Sequence, residues 1–168
     1  TIHFMWIPEF YGTLAWISRH PEVRGCGTWD DHRPAPPPGT EGSRCVLANL
    51  NLDMVGEDAV KTGGRFYATR APDSVPSPLD ALLGDVIEQT RQARLFAQSG
   101  SRHPWEAGLI PYTQGSDHDV LLGLGVPATM LGHLNDWTHH SSEDTIDKVD
   151  SSELLRVGTL AGAAAEFL

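Results

Sequence analysis

Residues 45–56 read CVLANLNLDMVG, an apolar run that a glycine closes and that carries a single acidic residue, Asp53. A short apolar run bounded by a turn residue is typical of a buried β-strand. A carboxylate among buried neighbours is costly unless it is paired or coordinates a metal. Asp53 is therefore a candidate metal ligand, and the alternative is a structural salt bridge or a cap for nearby N–H groups.

Other runs of strand length lie on both sides of this one. They are residues 2–7, 65–69 and 125–131. Pro8 ends the first of them, because proline has no N–H to donate to a neighbouring strand.

Helical patterns separate these strands. Residues 12–18 predict a short helix packed by Leu14, Trp16 and Ile17, and residues 79–98 have the apolar spacing of an amphipathic helix. Asp150 and Glu153 form a predicted capping box, with Asp150 as the N-cap and Glu153 reaching back, which begins a final helix that runs to about residue 167.

Strands that alternate with helices indicate an α/β fold, here a three-layer sandwich with a mostly parallel mixed sheet. We expect residues 1–168 to form one domain. Because a strand is predicted from the second residue on, we expect the N-terminal part of that domain to precede Thr1, so that this chain is a partial domain.

A Pro/Gly-rich segment at about residues 21–44 interrupts the domain and is interpreted as a linker or surface insertion. Cys26 and Cys45 flank it. They either close the segment as a disulfide or are two ordinary thiols, so the cellular compartment stays open.

Charge and hydropathy exclude two classes of partner. The formal net charge is −10, which argues against nucleic acid because phosphate binding needs clustered Lys and Arg. No apolar run approaches the roughly 20 residues of a membrane helix, so no membrane partner is predicted.

Functional groups in an open α/β sheet gather at the carboxyl ends of strands. Glu9 follows the first predicted strand, although a solvated loop glutamate is the default for such a residue. His139 and His140 follow the last predicted strand in Thr138-His-His-Ser-Ser-Glu-Asp-Thr145. Imidazole is the commonest metal ligand, and the carboxylates that follow favour a metal site over a pair of exposed loop histidines.

The run Gly115-Ser-Asp-His-Asp119 brings a hydroxyl, a carboxylate and an imidazole together. A Ser-His-Asp hydrolase is the tempting interpretation, but adjacent residues rarely face one another, and the G-x-S-x-G pattern is absent. We interpret the run as a helix N-cap and as support for a nearby site.

Taken in chain order, four motifs resemble the co-catalytic zinc aminopeptidases, whose relatives include the glutaminyl cyclases. Trp6-Ile-Pro-Glu-Phe-Tyr-Gly12 resembles the Glu-Glu-x-Gly signature of that family, and Asn49–Gly56 resembles its Asn-Leu-Asp-Met-x-Gly strand. Ser116-Asp-His118 resembles its Ser-Asp-His turn, and His140-Ser-Ser-Glu-Asp-Thr145 resembles its His-Thr-x-x-Asp-Thr loop.

The resemblance implies a phosphorylase/hydrolase-like fold, one or two zinc ions and a peptide or aminoacyl substrate. It implies that Asp53 and His140 are metal ligands and that Glu9 is the general base. Four further residues are implied to support the site or to contact the substrate: Ser116, Asp117, His118 and Asp144.

Two departures from the family pattern affect these assignments. Nothing matches the early histidine and the bridging aspartate of the family, and only one glutamate is present in the first motif. Alignment on Gly12 makes Glu9 the general base and places Phe10 at a ligand position, whereas a shift by one makes Glu9 a ligand. We prefer the first alignment because the glycine sets the turn.

The resemblance therefore implies zinc-dependent hydrolysis of N-terminal peptide bonds, with this chain an incomplete part of the catalytic domain that is inactive alone. The alternatives are a non-catalytic binding or scaffold domain of the same fold, which Phe10 favours, and aminoacyl cyclisation as in the glutaminyl cyclases.

Overall fold

The computed structural model describes residues 1–20, 23–25, 45–95 and 105–168. Short strands alternate with helices along this part of the chain, and a single 3-10 turn at Ile146–Lys148 precedes the last helix. In chain order the elements are α1 (Tyr11–Arg19), β1 (Arg24–Gly25), β2 (Cys45–Val46), β3 (Asn49–Leu52), α2 (Ala59–Thr62), β4 (Arg65–Thr69), α3 (Leu79–Ala93), β5 (Ala107–Ile110), α4 (His118–Leu122), β6 (Ala128–Leu134) and α5 (Ser151–Phe167).

Within the described residues, the main sheet has four strands in the order β3-β6-β4-β5. The β3–β6 and β4–β5 pairs are parallel, with Asn49 opposite Ala128 and Phe66 opposite Ala107, and the central β4–β6 pair is antiparallel. Two of the three pairings are parallel, which confirms the predicted α/β fold with a mostly parallel mixed sheet.

Helices pack on both faces of the sheet. Phe66 and Leu131 face α3 and α5 in the larger apolar cluster, whereas Ala128 packs with α4 in the smaller cluster, which Ile17 of α1 also contacts. Ala128 and Leu131 are an odd number of residues apart on one strand, so they point to opposite faces. The sheet is therefore the middle layer of the predicted three-layer sandwich.

The two long helices form where their apolar residues repeat at helical spacing. The buried residues of α3 are Leu79, Leu83, Val86, Ile87 and Thr90, and those of α5 include Val157, Leu160, Ala161 and Ala164. Each set is one stripe that faces the sheet.

The capping box is half confirmed. Asp150 is the N-cap of α5 and accepts a hydrogen bond from the Ser152 backbone N–H at 2.8 Å. The predicted return contact of Glu153 is wrong, because its buried carboxylate pairs instead with His133 and Arg156 and accepts a hydrogen bond from the Trp105 ring. Long-range charges outcompete the local backbone donor for this side chain.

The predicted strand at residues 2–7 is wrong. These residues have no regular secondary structure, and Phe4 and Trp6 are 94% and 102% exposed. An apolar run becomes a strand only when a neighbouring strand satisfies its backbone, and the described residues provide none here. The predicted helix at residues 12–18 is confirmed as α1, but Leu14 is exposed, and Trp16 and Ile17 are half-buried.

Several boundaries differ from the prediction. The run at residues 45–55 forms two strands, β2 and β3, and the run at residues 125–131 forms β6 three residues later. The helix predicted over residues 79–98 ends at Ala93, while β4 and the end of α5 lie where they were predicted. The sequence pattern missed α2 and β5, each of which is four residues long. It indicated the start of α4 through the predicted helix N-cap, and Asp117 is the N-cap residue there, although its side chain makes no capping hydrogen bond.

Most of the predicted insertion at residues 21–44 lies outside the described residues, and so does Cys26. At the edges of this segment, β1 and β2 pair in parallel, with Arg24 opposite Cys45. None of the helices in the described ranges is long and apolar enough to cross a membrane.

A truncation in the larger apolar cluster tests this packing. Leu160 is fully buried, whereas Leu155 on the same helix is 52% exposed. We expect Leu160→Ala to lower the free energy of unfolding by about 2–5 kcal/mol, because the cavity stays partly unfilled. Urea unfolding measures the change. Leu155→Ala is the matched control, and an equal loss in both variants would contradict the packing described.

Candidate active site

Parallel pairing brings two of the predicted site segments to one edge of the sheet. Asp53 follows the last residue of β3 directly, and its backbone N–H donates to the Leu131 carbonyl of β6 at 3.0 Å. His139 and His140 lie in the loop that follows β6. Since the carboxyl ends of parallel strands meet at one edge, Asp53 and the histidine loop share that edge.

The Ser116–Asp117 turn ties two further predicted segments to this edge. The side-chain amide of Asn51, two residues before Asp53, donates to Ser116 Oγ at 2.8 Å. The Phe10 backbone N–H donates to Asp117 Oδ1 at 2.8 Å. Ser116 is 1% exposed, so its bond to β3 is shielded from water. The turn that carries Glu9 is therefore hydrogen-bonded to a segment that is itself bonded to β3.

His118 does not form a catalytic triad with its neighbours. The ring is fully buried, its Nε2 lies 2.9 Å from the Thr113 carbonyl, and its Nδ1 has no partner within the described residues. Ser116 Oγ is hydrogen-bonded to Asn51 rather than to this ring. The contacts agree with a supporting role for this run and provide no base for a serine nucleophile.

Hydrogen bonds to α2 hold the start of the loop that follows β6. The Trp137 backbone N–H donates to the Thr62 carbonyl at 3.1 Å, and the indole N–H donates to the Lys61 carbonyl at 2.9 Å. Asp136 Oδ1 accepts hydrogen bonds from the backbone N–H and the hydroxyl of Thr138. The Trp137 bonds attach the start of the loop to α2, which follows the Asp53 turn, and the Asp136 bonds stabilise the loop itself.

The candidate ligands themselves are exposed or half-buried. His140 has a φ of 57°, and its ring stacks on that of His139 with 3.6 Å between the centroids. Asp144 is exposed, and none of its side-chain contacts within the described ranges reaches His140. Glu9 is exposed in the turn before α1.

The donor chemistry suits zinc, but the donor set is small. Within the described part of the chain, neither the Asp53 carboxylate nor the His140 ring has a hydrogen bond or an ion pair, so both are available as ligands. The same residues contain no group of three or more His, Cys, Asp or Glu side chains that could hold a metal ion. Catalytic zinc takes three protein ligands, so Asp53 and His140 need further ligands from elsewhere.

The sequence profile of peptidase family M28 matches residues 39–165, which is most of the chain. The chain belongs to peptidase family M28. No curated protein matches the sequence.

Two solved structures of BSAP, a zinc aminopeptidase from Bacillus subtilis, are similar to this M28 chain. Their TM-scores are 0.51 and 0.54 at 22% and 19% identity, and each comparison covers 94% of this chain and 32% of BSAP. An aminopeptidase from Aneurinibacillus sp. strain AM-1 is 25% identical over 69% of this chain and 24% of its own length, with a TM-score of 0.47. The M28 chain spans about a third or less of each of these proteins, and the likeness to BSAP supports the fold.

Behind the edge of the sheet, the M28 chain contains a buried charged cluster that the sequence analysis did not single out. His133 of β6 is 3% exposed, with its Nδ1 2.8 Å from Glu57 Oε2 and its Nε2 3.3 Å from Glu153 Oε1. Arg156 pairs with the same Glu153. The sequence does contain one signal for this cluster, a single histidine inside an apolar strand. A buried imidazole ring needs hydrogen-bond partners, so such a histidine indicates polar residues nearby.

The pKa values of two groups reflect this environment. Burial disfavours the charged His133 ring, but hydrogen bonds to Glu153 and to the Met54 carbonyl, together with the nearby Glu57 carboxylate, outweigh that cost and raise the pKa to about 9. Burial, followed by the charges of Asp53 and Glu57, raises the pKa of the Tyr67 phenol to about 12. His133 is therefore a cation and Tyr67 a neutral phenol at pH 7.

The His133 pKa predicts how stability depends on pH. It is raised from an ordinary 6.5 to about 9 in the fold, so the stabilising proton is fully effective below about pH 6.5 and is lost as the pH rises through 9. We expect a loss on the order of 3 kcal/mol across that window, since one pKa unit is about 1.4 kcal/mol. Urea unfolding from pH 6 to 10 measures it.

His133→Asn should remove this part of the pH dependence, whereas His3→Asn, at an exposed position, should leave it unchanged. An unaltered pH profile in His133→Asn would show that the cluster does not hold the proton.

A glycine on β6 keeps the Asp53 backbone close to the strand. A Cβ atom at Gly132 would lie 2.6 Å from the Asp53 carbonyl oxygen, whereas a Cβ at Gly162 of α5 meets nothing within 4 Å. We expect Gly132→Ala to lower the free energy of unfolding by about 1–3 kcal/mol through overpacking. Gly162→Ala should raise it by about 0.5–1 kcal/mol. Thermal unfolding measures both changes, and a neutral Gly132→Ala would contradict the close approach.

Proposed function

We propose that the full-length protein is a zinc-dependent aminopeptidase that hydrolyses N-terminal peptide bonds, and that this chain supplies part of its catalytic domain. The observation that supports the proposal is that Asp53 and His140, both unpaired within the described residues, lie at one sheet edge of an M28 chain. Peptides with a free amino terminus are the proposed substrates. Residues 1–168 are proposed to be a single, partial domain with an insertion at about residues 21–44.

Asp53 and His140 would hold zinc together with ligands that the described residues do not provide. A carboxylate oxygen and a neutral imidazole nitrogen are ordinary zinc ligands. Zinc, when bound, supplies the Lewis acid that polarises the scissile carbonyl and acidifies water. Because two ligands seldom hold catalytic zinc, this chain alone is proposed to bind zinc weakly and to be inactive.

Glu9 is proposed to be the general base. Its carboxylate would take a proton from the attacking water and give it to the leaving amine. The turn that carries Glu9 is fixed by the bond from the Phe10 N–H to Asp117, and that bond depends on the backbone rather than on the Glu9 side chain. The carboxylate therefore stays exposed and free to exchange protons with a substrate.

Ser116, Asp117 and His118 are proposed to support the site. Ser116 is bonded to β3 and Asp117 to the Glu9 turn, while the buried His118 ring contacts the Thr113 carbonyl of the same segment. Asp144 is proposed to contact the substrate or to support the histidine loop.

A non-catalytic scaffold is the second candidate function. Phe10 occupies the position at which the aligned motif expects a carboxylate, and the hydrocarbon side chain of phenylalanine has no atom that can bind zinc. The small donor set of the described residues also favours this alternative.

Two substitutions in the full-length protein separate these functions. Glu9→Gln keeps the size of the side chain but removes its basicity, so we expect turnover of an aminoacyl substrate to fall by about 10²–10⁴-fold while the zinc content is unchanged. His140→Ala removes a ligand and should lose both zinc and turnover. Metal analysis and hydrolysis assays on both variants measure these changes.

His3→Asn is the control, because this histidine is exposed and no role is proposed for it. Loss of zinc from Glu9→Gln would make Glu9 a ligand and shift the alignment by one residue. A zinc-loaded, unmutated protein that cleaves no aminoacyl substrate would establish the scaffold function instead.

A further inference from the structure

The residue after Asp53 has a strained backbone. Met54 has a φ of 59°, in the left-handed region that is unfavourable for a residue with a side chain. Such a conformation is energetically costly and persists only where its surroundings enforce it. The Met54 carbonyl accepts a hydrogen bond from His133 Nδ1 at 2.7 Å. The enforcing contact is therefore a side chain of the neighbouring strand.

Two hydrogen bonds hold the backbone on both sides of Asp53. The Asp53 N–H donates to the Leu131 carbonyl at 3.0 Å, and the Met54 carbonyl accepts from His133. Both partners belong to β6. With the peptide group before Asp53 and the one after Met54 both bonded to β6, the backbone around Asp53 is held, and this sets the direction of its Cα–Cβ bond.

The His133 ring is itself held on several sides. Its Nε2 faces Glu153, whose carboxylate also accepts a hydrogen bond from the Trp105 ring at 2.9 Å. Phe66 packs against it edge-on, with 5.7 Å between the ring centroids. Glu57 Oε2 lies 2.8 Å from Nδ1 but has no aligned hydrogen bond, so it acts by charge.

A cluster of this kind could serve stability alone, because buried ion pairs often join elements of a fold. The direction of the Nδ1 bond argues for a more specific role. This nitrogen lies close to a carboxylate, yet the aligned hydrogen bond goes to a backbone carbonyl, that of the residue beside the candidate ligand. The bond therefore ties the ring to the backbone of the Asp53 turn as well as to the carboxylates.

We propose that His133 is a positioning residue, which fixes the Asp53 carboxylate for zinc through its hydrogen bond to the Met54 carbonyl. This inference rests on the proposed zinc site. Glu153 and Glu57 keep the ring oriented, and their charges balance its charge. His133 itself touches neither the metal nor the substrate.

Two isosteres of histidine separate positioning from stability, in the full-length protein. Asparagine places an amide N–H where Nδ1 lies and retains the donor to Met54, whereas glutamine places its amide near Nε2 and loses that donor. Both variants remove the positive charge between Glu57 and Glu153. The free energy of unfolding should therefore fall in both variants, while only His133→Asn retains the hydrogen bond to the Met54 carbonyl.

Competition with a chromogenic zinc chelator measures the affinity for zinc. We expect His133→Gln to weaken zinc binding by about 10–100-fold and His133→Asn to stay within about threefold of the unmutated protein, as is typical when the groups that orient a ligand are lost or kept. We expect the same ranking of zinc affinities when both variants also carry Glu57→Gln. That substitution removes the buried carboxylate that loses its counter-charge when His133 is replaced, and so limits the loss of stability.

Equal losses of zinc affinity in both variants, or no loss in either, would overturn the positioning role. If the unmutated protein binds zinc stoichiometrically while His133→Gln binds it equally well, this inference alone fails. If the unmutated protein binds no zinc, the proposed function fails and this inference fails with it.

Discussion

The parallel pairing of β3 with β6 is the contact on which the arrangement of the site depends. Asn49 to Leu52 lie opposite Ala128 to Leu131, so the loops that follow the two strands begin at the same edge of the sheet. Asp53 is the first residue after β3, and the residue of β6 that follows Leu131 is Gly132. Because Gly132 has no Cβ, there is space beside it for the Asp53 carbonyl. A slip of one residue would turn every side chain to the other face and separate the two loops.

The buried charged residues near this edge are paired with one another, whereas the candidate ligands at the edge are not. His133, Glu57, Glu153 and Arg156 lie in or near the core and compensate one another, whereas the Asp53 carboxylate and the His140 ring have no hydrogen bond or ion pair within the described residues. A protein interior tolerates such groups only when they are paired. The paired set can therefore stabilise the fold, while the unpaired set is left available to bind a ligand.

The fold was predictable wherever local pattern and burial agree. Residues 65–69 and the final helix form where their periodicity indicates, since their apolar side chains reach the core. Residues 2–7 have an equally apolar pattern but remain exposed, because a strand also needs a partner that the pattern does not specify. Glu153 shows the same limit: the spacing of a capping box is present, but Trp105, His133 and Arg156, all outside that motif, determine where its carboxylate goes.

The segments of the candidate site could be proposed from the sequence, but the contacts between them could not. Four motifs indicated the loops that carry Glu9, Asp53, Ser116 and His140, because strand ends and residue chemistry are visible in a sequence. The role of His133 was not visible, since its partners at Met54, Glu57 and Glu153 are separated from it by up to 79 residues. The pairing of β3 with β6 and the packing of α5 against the sheet bring them together.

Backbone strain connects these loops. Phe10, Met54 and His140 each have a positive φ, and each lies in a motif that was predicted to carry chemistry. Such strain requires an opposing contact. The Asp117 side chain provides it for Phe10, and the His133 ring provides it for Met54. Around His140, the Ser141 hydroxyl donates to the Thr138 carbonyl at 2.6 Å and closes the loop. The side chains that hold these turns are therefore as much a part of the site as the residues that the turns present.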